Sequence, residues 1–474
     1  MTSGPSTDTR SPSGQASAML RGQRRSEQLL NAPVGTTMLK LAAPMVLGMG
    51  GLFMFQTIDS LFVGQLGVLP LAALGFTMPV TLGVMSASIG IGVGTTAVIG
   101  RALGQGDPDQ VRRLTTDALL LGVALVAALA MVGLLTIDPL FRSMGATEET
   151  LPLIRDYMVP WYCGVGCLVI PMVGNSAIRA TGDTTSPMVI MLISGVVNLI
   201  LDPLLIFGWG PFPRLEIRGA AVATVCSWVV TFGAALWVLH YRERMLDWRR
   251  VPVAQILSSW KRILRIGLPA ASSNLTRPLS TGILTALVAP FGADAVAAYG
   301  VGMRIELVAL VGIHAMAVAV TPMTAQNLGA QRFPRIAEVL RFGALAAAAW
   351  GLFVGVLLAL FAAPIAQQFK GSQAVTEGTV LFLTIVPLSY PLLGSILIAN
   401  ALLNGLGASL RAVSLVLVRA FVFAIPMALV GAHYFGLPGL FGGLGAANLI
   451  GGATAWFYAT RFLKRRFPTP AAGR

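Results

Sequence analysis

The chain has 474 residues, 55% hydrophobic and 11% charged, with a mean hydropathy of +0.77. A soluble domain carries about 25% charged residues, so the composition excludes one and indicates an all-α polytopic membrane protein. The net charge of +14 does not indicate a nucleic-acid partner, because the basic residues gather in the tails and in particular loops, as in membrane proteins that keep their positive loops inside.

Residues 1–35 are rich in Ser, Gly, Thr and Arg and have no apolar core, which predicts a disordered cytosolic tail rather than a cleaved signal peptide. The first apolar run, Leu41 to Val63, is about long enough to cross a bilayer, roughly 20 residues being needed. A single charge, Asp59, interrupts it. A carboxylate in hydrocarbon costs on the order of 2.5–3.5 kcal/mol or more, so such residues face a cavity or a partner. Asp59 is therefore the first candidate for a functional site.

Apolar runs of spanning length predict twelve transmembrane helices in all, near 40–63, 73–98, 115–137, 155–178, 186–208 and 218–240, then 263–289, 296–322, 342–366, 379–403, 409–432 and 438–461. One side receives both tails and most loop arginines, among them Arg101, Arg112, Arg179, Arg332 and Arg335. The positive-inside rule then makes both termini cytoplasmic, in agreement with an even number of spans. The polar, basic stretch 241–262 reads as a cytosolic connector between an N-terminal six-helix lobe (36–240) and a C-terminal one (263–462), and residues 463–474 as a basic cytosolic tail. Cys163, Cys167 and Cys226 lie in apolar spans without metal-ligand spacing and are expected to be buried small hydrophobes.

The halves repeat. At an offset of 225 residues, Leu41-Ala-Ala-Pro44 falls on Ile266-Gly-Leu-Pro269, Gly67 on Gly292, Gly75 on Gly300, Leu103-Gly104 on Leu328-Gly329, Asn175 on Asn400 and Gly182 on Gly407. With six helices each, the two lobes share one topology and are related by a pseudo-two-fold axis along the membrane normal. Transporters built this way bind substrate between their repeats and alternate access by rocking one against the other. There is no phosphate-cradling loop, no metal-ligand cluster and no nucleophile–His–acid set, so the sequence does not read as an enzyme or as an ATP-driven pump.

On this frame the chain resembles the multidrug and toxic compound extrusion (MATE) family of cation-coupled antiporters over about residues 36–462. The resemblance rests on Pro44, Gln56-Thr-Ile-Asp59-Ser-Leu-Phe-Val-Gly64 and Leu66-Gly67 with their 225-shifted partners. Gly100-Arg-Ala-Leu-Gly104, Gln326-Asn-Leu-Gly329, Asn175 to Asp183 and Arg218-Gly219-Ala220-Ala221 also carry it. Val301-Gly-Met-Arg304-Ile-Glu306 resembles the DinF-like branch; where the NorM-like branch has an acid on the seventh span, this chain has Arg277. The resemblance implies a cation-coupling site in the N-terminal lobe formed by Asp59, Asn198, Asp202 and Thr224. These residues would be metal ligands only if the coupling ion is Na⁺; otherwise the ion is H⁺. No other cofactor is expected.

The residues agree with that placement. Asp59 lies about 8 residues, roughly 12 Å of helix, before its outer turn, and Asp202 lies a similar distance before the loop at Trp209. Two carboxylates that approach each other in a low-dielectric cavity cannot both ionise cheaply. Asn198 and Asp202, four apart, share a helix face. Arg277 and Glu306 are level across the turn between the seventh and eighth spans, so they are expected either to pair or, with Arg304, to line a cavity in the C-terminal lobe. Phe55 and Tyr157 are candidate aromatic contacts for a cationic substrate, and Met191 a candidate for an adaptable pocket wall.

The sequence thus points to a monomeric antiporter of a bacterial inner membrane, taking amphipathic or cationic small molecules, with the lipid bilayer as its surroundings. A lipid-linked precursor flippase of the same superfamily is the alternative that the arginines allow.

Overall fold

A computed structural model describes residues 12–249, 251–369 and 371–468. In hydrocarbon each backbone N–H and C=O must bond inside its own segment, and the described residues are helical almost throughout, with no strand among them. A helix α1 (Pro12–Asn31) precedes the first six spans, which are α2 (Val34–Gly64), α3 (Val68–Gln105), α4 (Pro108–Ser143), α5 (Thr150–Ala180), α6 (Thr185–Phe207) and α7 (Glu216–Trp237).

The second half opens with α8 (Val253–Val288). Next, α9 (Ala293–Ala309) and α10 (Val311–Gly329) form one span bent by 46°. After α11 (Phe333–Leu360) and the short α12 (Ala362–Gln367), α13 (Gln373–Ile385) and α14 (Tyr390–Gly405) run together through a tight turn at Val386–Ser389. Finally α15 (Ser409–Leu417) passes through a π-helical stretch, Val418–Ala424, into α16 (Ile425–Arg466). Two spans make up that last stretch, because Gly436 breaks it at φ 64° and ψ −147°. Gly431 and Gly439 then face each other so closely that a Cβ on either would meet the other's carbonyl oxygen. The architecture is the expected one of twelve spans.

Four expectations need correction. The tail is not featureless up to residue 35: residues 12–31 are helical, and Leu29 is only 1% exposed. Its partners lie more than 150 residues away in sequence, so local composition could not announce it; residues 1–11 lie outside the described part. The expected connector, 241–262, is helical in its second part, since α8 begins at Val253. At the other terminus α16 continues to Arg466, whose guanidinium lies over Phe462 and Phe467 and donates to the Leu406 carbonyl at 3.3 Å. Cys163 is exposed on the outside of α5, while Cys167 and Cys226 are half-buried; a thiol is apolar enough to sit on a lipid-facing surface.

The buried apolar residues fall into two clusters, one running from Val63 to Ile263 and the other from Leu284 to Leu463. Each borrows from the opposite half. Met38, Leu41, Ala42 and Met45 of α2 belong to the second cluster, and Ile263 of α8 belongs to the first. The equivalent helices of the two halves therefore cross over, each by its first turns.

The glycines of α3 record where the halves meet. A Cβ on Gly100 would stand 2.8 Å from Ala325 Cβ, one on Gly267 would stand 2.8 Å from the Gly90 carbonyl, and Gly104 abuts the backbone of Gln326. Nearer the start of α3, a Cβ on Gly75 or Gly83 would meet nothing within 4 Å among the described residues, nor would one on Gly282 of α8. The halves are thus joined backbone to backbone at the end where both termini lie, and part towards the other end.

Candidate functional site

The approach of α2 to α6 sets the first half of the site. Gly48 faces Met188, with 3.2 Å from a Cβ to the Met188 Cα, and Gly51 faces Leu192, with 2.6 Å to Cδ2. Gly195 leaves room for the Phe55 ring, whose Cγ would stand 2.6 Å from a Cβ there. The two helices climb side by side in this register, so the next turn brings Asp59 level with Asn198 and Asp202. Across the α6–α7 hairpin, Leu215 N–H bonds to the Leu205 carbonyl at 2.9 Å and Gly219 lies on Leu205. That contact places Thr224 opposite the same turn.

The four side chains meet. Asn198 Nδ2 donates to Asp202 Oδ1 at 3.2 Å and lies 3.4 Å from Thr224 Oγ1. The Asp59 and Asp202 carboxyls lie within hydrogen-bonding reach of each other. Asp202 is 1% exposed, and Asp59 Oδ1 is buried with no hydrogen-bond partner among the described residues. Tyr157, also buried, stands within electrostatic reach of both acids.

A buried carboxylate oxygen without a donor is costly, because no dipole replaces its water. A proton shared between the two carboxyls, or a cation between them, removes that cost. The site offers oxygens from Asp59, Asp202 and Thr224. As oriented, however, Asn198 presents its N–H₂ to the others, so its oxygen would join a cation only after the amide turns over.

The other candidates separate. Phe55 is buried in the α2–α6 contact and Met191, half-buried, packs against the second apolar cluster. In the second half the expected pair between Arg277 and Glu306 does not form. Glu306 accepts from the Tyr390 hydroxyl at 3.3 Å, whereas Arg277 is exposed and makes no ion pair among the described residues. Level position along two helices does not fix the direction of two long side chains, and Tyr390 enters from a third helix. Arg277 remains in electrostatic reach of Tyr299, Tyr390 and His314. Arg304 is exposed on α9.

Sequence reasoning missed Asn448, Ser389 and Tyr390. Arg419 Nε donates to Asn448 Oδ1 at 3.1 Å, and Asn448 Nδ2 donates to Ser389 Oγ at 2.8 Å. The signal was present, since Asn448 is an amide in an apolar run of spanning length, a residue type that needs a partner there.

Comparison with known proteins shows the family. The MatE family model matches residues 44–204 and again 269–430, one match in each half. The chain is 38% identical over 433 residues to a FAD transporter of Shewanella oneidensis, covering 91% of this chain and 96% of that one. A probable multidrug resistance protein of Bacillus subtilis, YoeA, is 28% identical over 384 residues, 80% of this chain and 83% of that one. Among solved structures, the Vibrio cholerae MATE transporter VcmN in its bent form superposes with a TM-score of 0.85 at 33% identity, covering 94% of this chain and 99% of that one.

Proposed function

We propose that this chain, which belongs to the multidrug and toxic compound extrusion (MATE) family of membrane transporters, is a secondary antiporter that exports organic compounds in exchange for H⁺ or Na⁺. The carrying observation is the cluster of Asp59, Asp202, Asn198 and Thr224, in which one carboxylate oxygen has no donor among the described residues. A cation taken up there changes the charge between α2 and α6. Substrate and cation then favour different arrangements of the lobes, which is what coupled exchange requires.

With both termini cytoplasmic in the inner membrane of a bacterium, the joined end faces the cytoplasm and the parted end faces outwards. The protein works as a monomer in this reading. The two facing acids could take up H⁺, and the oxygens of Asp59, Asp202 and Thr224, with that of Asn198 once its amide turns over, could hold Na⁺.

Two substrate classes have support. Amphipathic, cationic drugs are favoured by the multidrug relative and by the two inward acids. An anionic flavin dinucleotide is favoured by the relative named for FAD, together with Arg277, which has no ion-pair partner among the described residues of the second half. Purified protein in liposomes, given ethidium or FAD and an imposed pH or Na⁺ gradient, tests the reading. Uphill movement of either compound under one gradient supports antiport and identifies ion and substrate class together. Movement that is equal with and without gradients overturns antiport.

A further inference from the structure

The helix before the first span lies across the seam between the halves. On its first-half side, Arg25 pairs with two acids, Glu243 at 2.8 Å and Asp183 at 3.2 Å, whose side chains are 5% and 3% exposed. On its second-half side, Ser26 Oγ donates to Gln326 Oε1 at 3.0 Å. The last carbonyls of α1 have no partners within their own helix. Side chains of the second half supply them. Asn327 Nδ2 reaches the Leu29 carbonyl at 3.3 Å, Arg332 Nη1 the Leu30 carbonyl at 3.0 Å, and Arg335 Nη2 the carbonyl of Ala32, just past the helix, at 2.6 Å. Two arginines at the C-terminal end of a helix also meet the negative pole of its dipole.

We propose that α1 is a strap that holds the two halves together at the end carrying the termini, and that it must release one half for that end to open. The chain fixes α1 to α2, and α2 rises with α6 in the first half, while the carbonyl end of α1 is bound by α10 and α11 of the second half. Any motion that parts Gly104 from Gln326 therefore breaks the α1 contacts on one side. The strap is held by directional polar bonds more than by packing. A cavity of ≈ 350 Å³ remains beneath it, lined by Arg25, Leu29, Thr36, Lys40 and Asp183 among others. Polar contacts of this kind release and re-form without dismantling a core.

The inference rests on alternating access, and the test keeps the two apart. Spin labels at Asp109→Cys and Glu338→Cys, both exposed and on opposite halves, in a protein whose Cys163, Cys167 and Cys226 are replaced by Ser, report the width of this end by double electron–electron resonance. Arg25→Ala and Arg335→Ala cut the strap from opposite sides. Each is expected to raise the ratio of wide to narrow distances roughly tenfold, the size expected for one charge-assisted hydrogen bond, and Arg25→Lys should restore much of it. Tryptophan-monitored melting verifies that the variants stay folded. If a wide population exists but neither variant enlarges it, the strap is overturned while alternating access stands. If no wide population appears at any pH or Na⁺ concentration, both are overturned.

Discussion

Asp59 and Asp202 differ in what surrounds them, and the difference assigns separate expectations. Asp202 accepts from Asn198, whereas Asp59 leaves Oδ1 buried without a donor among the described residues. Replacing Asp59 by Asn removes the charge and introduces a donor that can face Asp202, so the variant should fold and insert normally yet lose gradient-driven transport by at least tenfold. Liposome flux together with a melting curve reads both at once. Undiminished flux in Asp59→Asn would remove Asp59 from the coupling site. The polar network of the second half carries a stability prediction instead. Asn448→Ala takes from Arg419 its hydrogen-bond acceptor and from Ser389 its donor, and an orphaned buried donor costs about 1–3 kcal/mol, more when charged. A lowered melting temperature is expected, and an unchanged one would mean that Arg419 finds another acceptor. These two sites were unequally legible. Asp59 is an isolated charge in an apolar run, which sequence alone exposes. Asn448 is a neutral amide, and its partners come from two other helices that no periodicity links to it.

At the scale of elements, the spans could be read because a bilayer demands about 20 apolar residues for each crossing, and that demand is local. Helix ends and kinks could not be. The break at Gly436 between two spans and the bend at Leu310 between α9 and α10 depend on contacts rather than on composition. The strap was hidden for the same reason, since Arg25 is an ordinary polar residue until Asp183 and Glu243 are brought to it by the fold. The contact of α2 with α6 gives the sharpest test at this scale. A methyl group at Gly195 would collide with the Phe55 ring, so Gly195→Ala should destabilise by about 1–3 kcal/mol, the usual range for an overpacked contact. Phe55→Leu, which shrinks the facing side chain, should recover part of that loss in the double variant. If the two changes add without interaction, the ring does not sit on that glycine.

The whole molecule is two similar halves joined at one end, and its glycines show how the join can be biased. Gly104 and Gly329 are equivalent positions in the repeat, and each abuts the backbone of the opposite half: a Cβ on Gly104 would stand 2.9 Å from the Gln326 carbonyl carbon, and Gly329 faces the Arg101 carbonyl. Backbone cannot step aside as a flexible side chain does, so an added methyl there must push the halves apart. Gly83 lies on the same helix as Gly104, but a Cβ there would meet nothing within 4 Å among the described residues. Gly83 lies inside the helix, where Ala gains about 1 kcal/mol over Gly, and Gly104 next to its last residue, where that gain is smaller. Helix propensity alone would therefore act more strongly at Gly83, and a larger effect at Gly104 reports the contact between halves. Gly104→Ala should shift the Asp109–Glu338 label distances towards the wide population, and Gly83→Ala should leave them where they are. A shift of equal size in both variants would mean that helix stiffness, rather than the meeting of the two backbones, sets the balance between the open and closed ends.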